Sequence, residues 1–218
     1  MAPMILTHYG REFFKIQSGE TVLAYNPVSK ESSLKQNRFG ADIVLVAMND
    51  ADFNGVENTT YKDKTPFVIS GPGEYEVAGI FIRGYLARAV HEGGERMVTI
   101  YSLRFDGIHM VLLGPLTNTD SVDAAIREKI GEIDVLFVPI AGGDILSPNE
   151  AYKLSVSLHP KVIIPMDWDH EKKRDSLNSF LKDAGDEVKP VDKYTFKKKD
   201  IDTAEGEIVV IDPTGGGS

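Results

Sequence analysis

Three short apolar runs constrain this chain more than any other feature. They are residues 41–48 (ADIVLVAM), 135–140 (VLFVPI) and 161–166 (KVIIPM). Each is rich in β-branched residues, too brief for a helix, and apolar at nearly every position rather than at alternate ones. That pattern marks strands buried on both faces. The second run is stopped by Ala141-Gly142-Gly143 and the third by Asp167-Trp168-Asp169-His170. The chain must therefore bury sheet on both sides, and the remaining segments have to supply the cover.

The first two-thirds reads mainly as strand. Residues 13–16 and 21–25 flank Ser18-Gly19-Glu20, a hairpin turn, and Asn26-Pro27 stops the second of them. Strands are expected over 67–70, 75–77 and 80–82, with Gly71-Pro72-Gly73 as a turn between the first two. Residues 98–105 and 109–113 are joined through Asp106-Gly107, a dipeptide suited to the left-handed positions of a tight hairpin.

The last third alternates between helix and strand. Residues 119–130 carry Val122, Ala125, Ile126 and Ile130 at helical spacing behind a Thr or Asp cap. Ser147-Pro148-Asn149-Glu150 has the cap, first-turn proline and third-position glutamate of a helix start, and that helix should run to Leu158. A further helix is expected over 172–184, stopped by Gly185, and late strands over 194–198 and 208–211. No repeat or linker divides residues 1–213, so one α/β domain is expected, with two sheets and helices packed outside. Residues 214–218 (TGGGS) read as a flexible tail.

Composition excludes several classes of function. The 24 basic and 33 acidic residues give a net charge of −9, which disfavours broad contact with a nucleic-acid backbone. The basic cluster Lys193 and Lys197-Lys198-Lys199 reads as a solvated strand edge. With no cysteine there is no disulfide, thiol nucleophile or thiolate-held zinc. No apolar run is long enough for a membrane helix and the first residues do not read as a secretory signal, so a cytoplasmic location is expected. No nucleophile elbow, P-loop or dinucleotide fingerprint is present. Five histidines remain: His8, His91, His109, His159 and His170. His8 and His109 sit in or beside strands as structural residues, and His159 sits at a helix end.

Active sites of α/β folds lie at loops leaving the carboxyl ends of strands. At those exits the order of motifs resembles the metallo-β-lactamase superfamily, in particular small bacterial hydrolases like the L-ascorbate-6-phosphate lactonases. The resemblance is carried by Tyr9-Gly10-Arg11-Glu12-Phe13-Phe14, by Ala41-Asp42-Ile43-Val44-Leu45-Val46 and, most specifically, by Gly71-Pro72-Gly73-Glu74-Tyr75-Glu76-Val77-Ala78-Gly79. Leu112-Leu113-Gly114, Val135-Leu136-Phe137-Val138-Pro139 and Ile163-Ile164-Pro165-Met166 follow in order, so that it spans roughly residues 4–211. It implies an αββα sandwich of two mixed sheets.

It also implies a dinuclear metal site, and there this sequence departs from the pattern. The motif histidines fall on Met48, Asp50 and Phe53, and only the motif aspartate persists, as Asp52. A bridging carboxylate becomes Pro115 after Gly114, and the histidine after it becomes Asn118. The histidine following Pro-Met becomes Asp167, the early-strand histidine Arg11, and the Asp-Pro after the second strand Asn26-Pro27. A further family histidine falls on His91 or Ala89. Met48, Phe53 and Pro115 cannot replace an imidazole or a bridging carboxylate.

The expectation is accordingly a catalytically degenerate protein without a metal cofactor, with Arg11, Met48, Asp50, Asp52, Phe53, Pro115, Asn118 and Asp167 at vestigial cleft positions. Arg11 is expected to pair with Asp52 and fill the pocket. Such a protein would act as a scaffold, a self-assembling homo-oligomer or a binding module, with contacts around Phe53 or Tyr85-Leu86. A cleft that binds a small molecule without turning it over is a further reading. The alternative is a metal-dependent lactone or phosphodiester hydrolase using Zn, Mn or Mg at a rebuilt site of Asp50, Asp52, Asp167 and His91. Asp169 and His170 could add to a carboxylate-rich cation site.

Overall fold

The computed structural model describes residues 2–62, 64–168, 174–185 and 187–214. The apolar runs form the centres of two facing sheets. The first has six strands in the order β12 (Tyr194–Phe196), β1 (Met4–His8), β2 (Phe14–Ser18), β3 (Thr21–Tyr25), β4 (Ile43–Leu45) and β5 (Phe67–Ile69). The second has seven: β13 (Glu207–Ile208), β11 (Val162–Met166), β10 (Val135–Pro139), β9 (Ile108–Leu112), β8 (Gly94–Phe105), β7 (Ile80–His91) and β6 (Gly73–Val77). Strands β3 to β5 run parallel, as do β9, β10, β11 and β13; the other neighbours are antiparallel. Both sheets are mixed, as expected. Between them lie fully buried Leu6, Ile16, Leu23 and Leu45 from one side and Tyr101, Leu112, Phe137 and Ile164 from the other.

Among the described residues, three α-helices, α1 (Ala124–Ile130), α2 (Pro148–Leu158) and α3 (Arg174–Ala184), follow strands of the second sheet. α2 starts on the capping box read from the sequence, with Ser147 and Glu150 exchanging both hydrogen bonds. The expected helix over 119–130 is divided instead. Asn118 caps a single 3-10 turn, and Asp123 then caps α1 by accepting the Ile126 N–H at 2.8 Å, so two caps in succession start two separate turns. The outer face of the first sheet carries a smaller cluster in which Phe13, Val22, Val28, Val44 and Val46 pack with Leu34, Phe39 and Val56. Irregular chain and a 3-10 turn therefore form that outer layer.

The strand expected over 41–48 pairs only at Ile43–Leu45, because the chain then turns its backbone toward the other sheet. The Thr99 N–H donates to Ala47 O at 2.8 Å, and the Tyr101 hydroxyl lies 2.9 Å from Val46 O and 3.1 Å from Ile69 O. Loop 46–55 is thus anchored across the sandwich. Its far end is fixed by Gly55, whose N–H donates to Pro27 O at 2.6 Å. A Cβ at Gly55 would stand 2.1 Å from Val28 O, a backbone atom that cannot swing aside. We expect Gly55→Ala to destabilise the fold by about 2–4 kcal/mol, read as a lowered urea midpoint with an unchanged slope.

Candidate functional site

Strands β1, β3 and β4 point the same way, so their carboxyl ends share one edge of the sandwich. Here the β1–β2 turn delivers Arg11, the loop after β4 delivers Met48, Asp50, Asp52 and Phe53, and the end of β11 delivers Asp167. The Asp167 N–H donates to Arg11 O at 2.8 Å, which ties the two turns together. Buried His8 fixes the same carbonyl from behind: one ring nitrogen lies 2.9 Å from Arg11 O and the other 3.0 Å from Ile211 O.

The Arg11 side chain is the centre of the arrangement. Its Nε donates to Asp167 Oδ1 at 3.0 Å, its Nη1 donates to Asp52 Oδ2, and its guanidinium carbon sits 5.0 Å from the Phe53 ring centroid. The Ser32 hydroxyl donates to the other Asp52 oxygen. Met48, Phe53 and Asp167 are buried, and the Arg11 side chain is only 12% exposed. Burial works against the charge on Arg11, but the carboxylates of Asp167 and Asp52 outweigh it and hold its pKa above the ordinary value.

Glu12, which sequence reasoning passed over, is fully buried beside this pair. Asn26 donates to Glu12 Oε2 at 2.8 Å while its own side-chain oxygen accepts the Ala47 N–H at 2.7 Å. Burial and the nearby Asp167 carboxylate push Glu12 well above the ordinary carboxylate range, against the pull of Arg11. Arg11, Asn26 and Asp167 all have left-handed backbone, with φ of 48°, 45° and 60°. Such strain gathers at sites where surrounding contacts over-determine the chain.

Other predicted positions fall elsewhere. Asn118 is exposed and spent on capping, with its side-chain oxygen accepting the Ser121 N–H. Pro115 is buried in the loop after β9 and offers no donor atom for an ion. Phe53 is wholly buried, so it is not a contact surface; Leu86, by contrast, is 50% exposed. His109 is a structural residue bonded to Ser102 at 2.7 Å, and His159 is the left-handed cap of α2. Asp169 and His170 lie outside the described residues.

Asp50 meets His91, as the alternative site had it, but with Glu92 as the third member of the group. Its Oδ1 accepts the Asp52 N–H at 2.9 Å, and its Oδ2 lies 3.5 Å from His91 Nε2. Asp50, His91 and Glu92 offer ligand atoms within 4.8 Å of one another. Glu92 gave no signal because the β7–β8 hairpin is far longer than the sequence suggested. Its turn, with left-handed Glu92 and Gly93, was legible only as a Glu-Gly pair.

Comparison with known proteins places this arrangement in a family. A model of the beta-lactamase superfamily domain matches residues 5–167, and the chain belongs to that superfamily. No curated protein matches significantly. Among solved structures, a Thermotoga maritima protein described as a candidate zinc-dependent hydrolase of the metallo-β-lactamase superfamily is 26% identical. It aligns over 95% of this chain and 98% of its own, with a TM-score of 0.76. Igni18, a metallo hydrolase from Ignicoccus hospitalis, shares the fold at 16% identity over 89% of this chain and 99% of its own, TM-score 0.63. CmlA, a diiron β-hydroxylase from Streptomyces venezuelae, shares it at 12% identity over 89% of this chain and 54% of its own, TM-score 0.64.

These findings correct the expectation of no metal cofactor. Asp50, His91 and Glu92 form a candidate metal-binding group, and the similar proteins include ones described as metal-dependent. The dinuclear pattern of the family is a separate matter, and the donors present do not fit it. Its positions hold a thioether, a phenyl ring, a proline and an arginine bonded to Asp52 and Asp167, and Asp50 stands beside His91. Among the described residues, no helix is long and apolar enough to cross a membrane.

Two outcomes test this reading. Arg11→Met keeps the apolar stem but leaves buried Asp167 without its cation, which should cost about 3–5 kcal/mol; adding Asp167→Asn should recover part of the loss. Between the ordinary glutamate pKa and the raised value in the fold, the folded state holds the Glu12 proton that the unfolded chain releases. Stability therefore falls as pH rises through that window. Glu12→Gln should raise stability at neutral pH and flatten its pH dependence, measured by denaturant titration across the range.

Proposed function

We propose that this chain is a non-hydrolytic member of its superfamily, a scaffold or binding module working in the cytoplasm. The observation that carries the reading is the Arg11 guanidinium bonded to Asp52 and Asp167, at the point where the family pattern converges on its metals. Two-metal hydrolysis needs an activated water between cations held by several donors. Here a protein cation occupies that position, and Met48 and Phe53 close it off.

The assembly surface we favour is the far end of the β7–β8 hairpin. The strand register puts Leu86, Arg88 and Val90 on one face with Met97 and Glu95. Leu86, Val90 and Met97 are 50%, 42% and 74% exposed. The exposed Arg88–Glu95 pair between them gives this face both signs of charge, so a two-fold copy can meet each charge with its opposite. A second copy of the chain fits this chemistry.

The test is light scattering of the full chain together with lactonase and phosphodiesterase assays in added zinc or manganese. We expect a defined oligomer that Met97→Glu dissociates, and no turnover. Metal-dependent turnover abolished by Asp52→Ala would instead favour a hydrolase with a rebuilt site. A monomer at every concentration tried would remove the assembly reading.

A further inference from the structure

A hydroxyl and an imidazole meet on the outer face of the second sheet, away from the Arg11 cluster. The strand register sets Arg83 opposite Ser102, and Arg104 opposite both Phe81 and His109, so these five side chains share that face. With Lys129 of α1 they line an open pocket of about 350 Å³, at the lower end of the size range of small-molecule sites. Ser102 and His109 are buried at its floor, and the three cations stand around them. Arg83 is bonded to exposed Glu74, Nε to Oε1 at 3.1 Å; Arg104 and Lys129 have no carboxylate partner among the described residues.

The bonds that make His109 part of the framework also orient its ring. Nδ1 faces the Glu132 carbonyl, which can only accept, so Nδ1 carries the ring proton. The His109 backbone N–H donates to Asp134 Oδ2 at 2.9 Å and holds this end of β9. Nε2 of the neutral ring is then an acceptor 2.7 Å from Ser102 Oγ, and the serine hydroxyl donates to it. Burial lowers the His109 pKa; the Glu132 carbonyl and Asp134 oppose this, while Arg104 and Lys198 add to it. The ring is accordingly neutral at pH 7 and able to take a proton. A hydroxyl in hydrogen-bond reach of a base that a third group orients is the arrangement of an activated nucleophile.

We infer that Ser102 is an acyl-accepting nucleophile, with His109 as its base, in a pocket that takes small activated esters bearing a negative charge. Ser102 Oγ bonds to the acyl carbon, the bond from that carbon to the leaving oxygen breaks, and the hydroxyl proton passes by way of His109 Nε2 to the leaving oxygen. Arg104 and Lys129 receive the charged end of the ester. β8 is paired on both sides at Ser102, so its N–H groups there are committed to the ladder and form no oxyanion hole. Hydrolysis of the acylated serine, an unactivated ester, lacks that stabilisation, and the reaction stops at one acyl group per chain. The pocket shares no residue with the Arg11 cleft, so the inference is independent of whether the chain is a scaffold.

The experiment treats the full chain, with a chelator present, with the para-nitrophenyl half-ester of succinate, whose acyl group carries a carboxylate, or with neutral para-nitrophenyl acetate. Absorbance follows nitrophenolate release, and peptide mass spectrometry locates the acyl group. We expect a single burst of nitrophenolate, the acyl group on Ser102, and the charged ester at least about tenfold faster than the neutral one. Ser102→Ala should lose the burst, and Arg104→Met should narrow the difference between the two esters. The burst rate should be level at neutral pH and fall on acidification below the ordinary imidazole range. His109→Gln, which keeps a polar side chain without the basic nitrogen, should slow the burst about a hundredfold and remove that acid limb. Acylation confined to lysines, or a burst that survives Ser102→Ala or is as fast in His109→Gln, overturns the nucleophile. An ester preference that Arg104→Met leaves intact overturns the ligand class, and both of these variants leave the sandwich interior unchanged.

Discussion

A guanidinium held between two carboxylates organises this end of the molecule. Arg11 comes from the turn after β1, Asp52 from the loop after β4 and Asp167 from the end of β11, so one side chain joins both sheets. Taking these charges from water costs several kcal/mol each, and only close geometry with further hydrogen bonds offsets it. The surroundings supply those bonds: Ser32 to Asp52, and the His8 ring behind the Arg11 carbonyl. Burial and the Asp167 carboxylate likewise hold the Glu12 pKa well above the ordinary carboxylate range.

Local sequence codes were easily read, and longer-range placement was not. Asp106-Gly107 and the Ser147–Glu150 capping box are complete within a few residues, and both form as expected. The buried runs announced their strands because burial on both faces leaves no polar alternation to misread. β1 was missed because five residues beside the N-terminus gave too short a pattern, although they pair along their whole length with β2. The β7–β8 hairpin was underestimated because exposed Arg83, Arg88 and Arg96 interrupt its apolar pattern.

The candidate site divides in the same way. The motif spacing allowed Arg11 and Asp52 to be considered together although they stand 41 residues apart. Nothing local linked Asp50 to Glu92, because their proximity depends on how far the hairpin extends and on Asp144 holding its turn. Asp167 was read as a possible ligand, but its carboxylate is engaged by Arg11. The fold thus persists while the chemistry at its edge changes, as expected where function resides in side chains placed on a shared framework.

The depth of the Arg11 cluster has a consequence for behaviour in salt. Mobile ions screen exposed charges over about 8–10 Å at ordinary ionic strength but reach buried pairs far less. The exposed Arg83–Glu74 and Arg88–Glu95 pairs therefore lose their influence as electrolyte is added. The Arg11 contacts do not. One molecule thereby carries two electrostatic regimes: an interior one that holds the sheets together in brine as in dilute buffer, and a peripheral one that the medium can turn down.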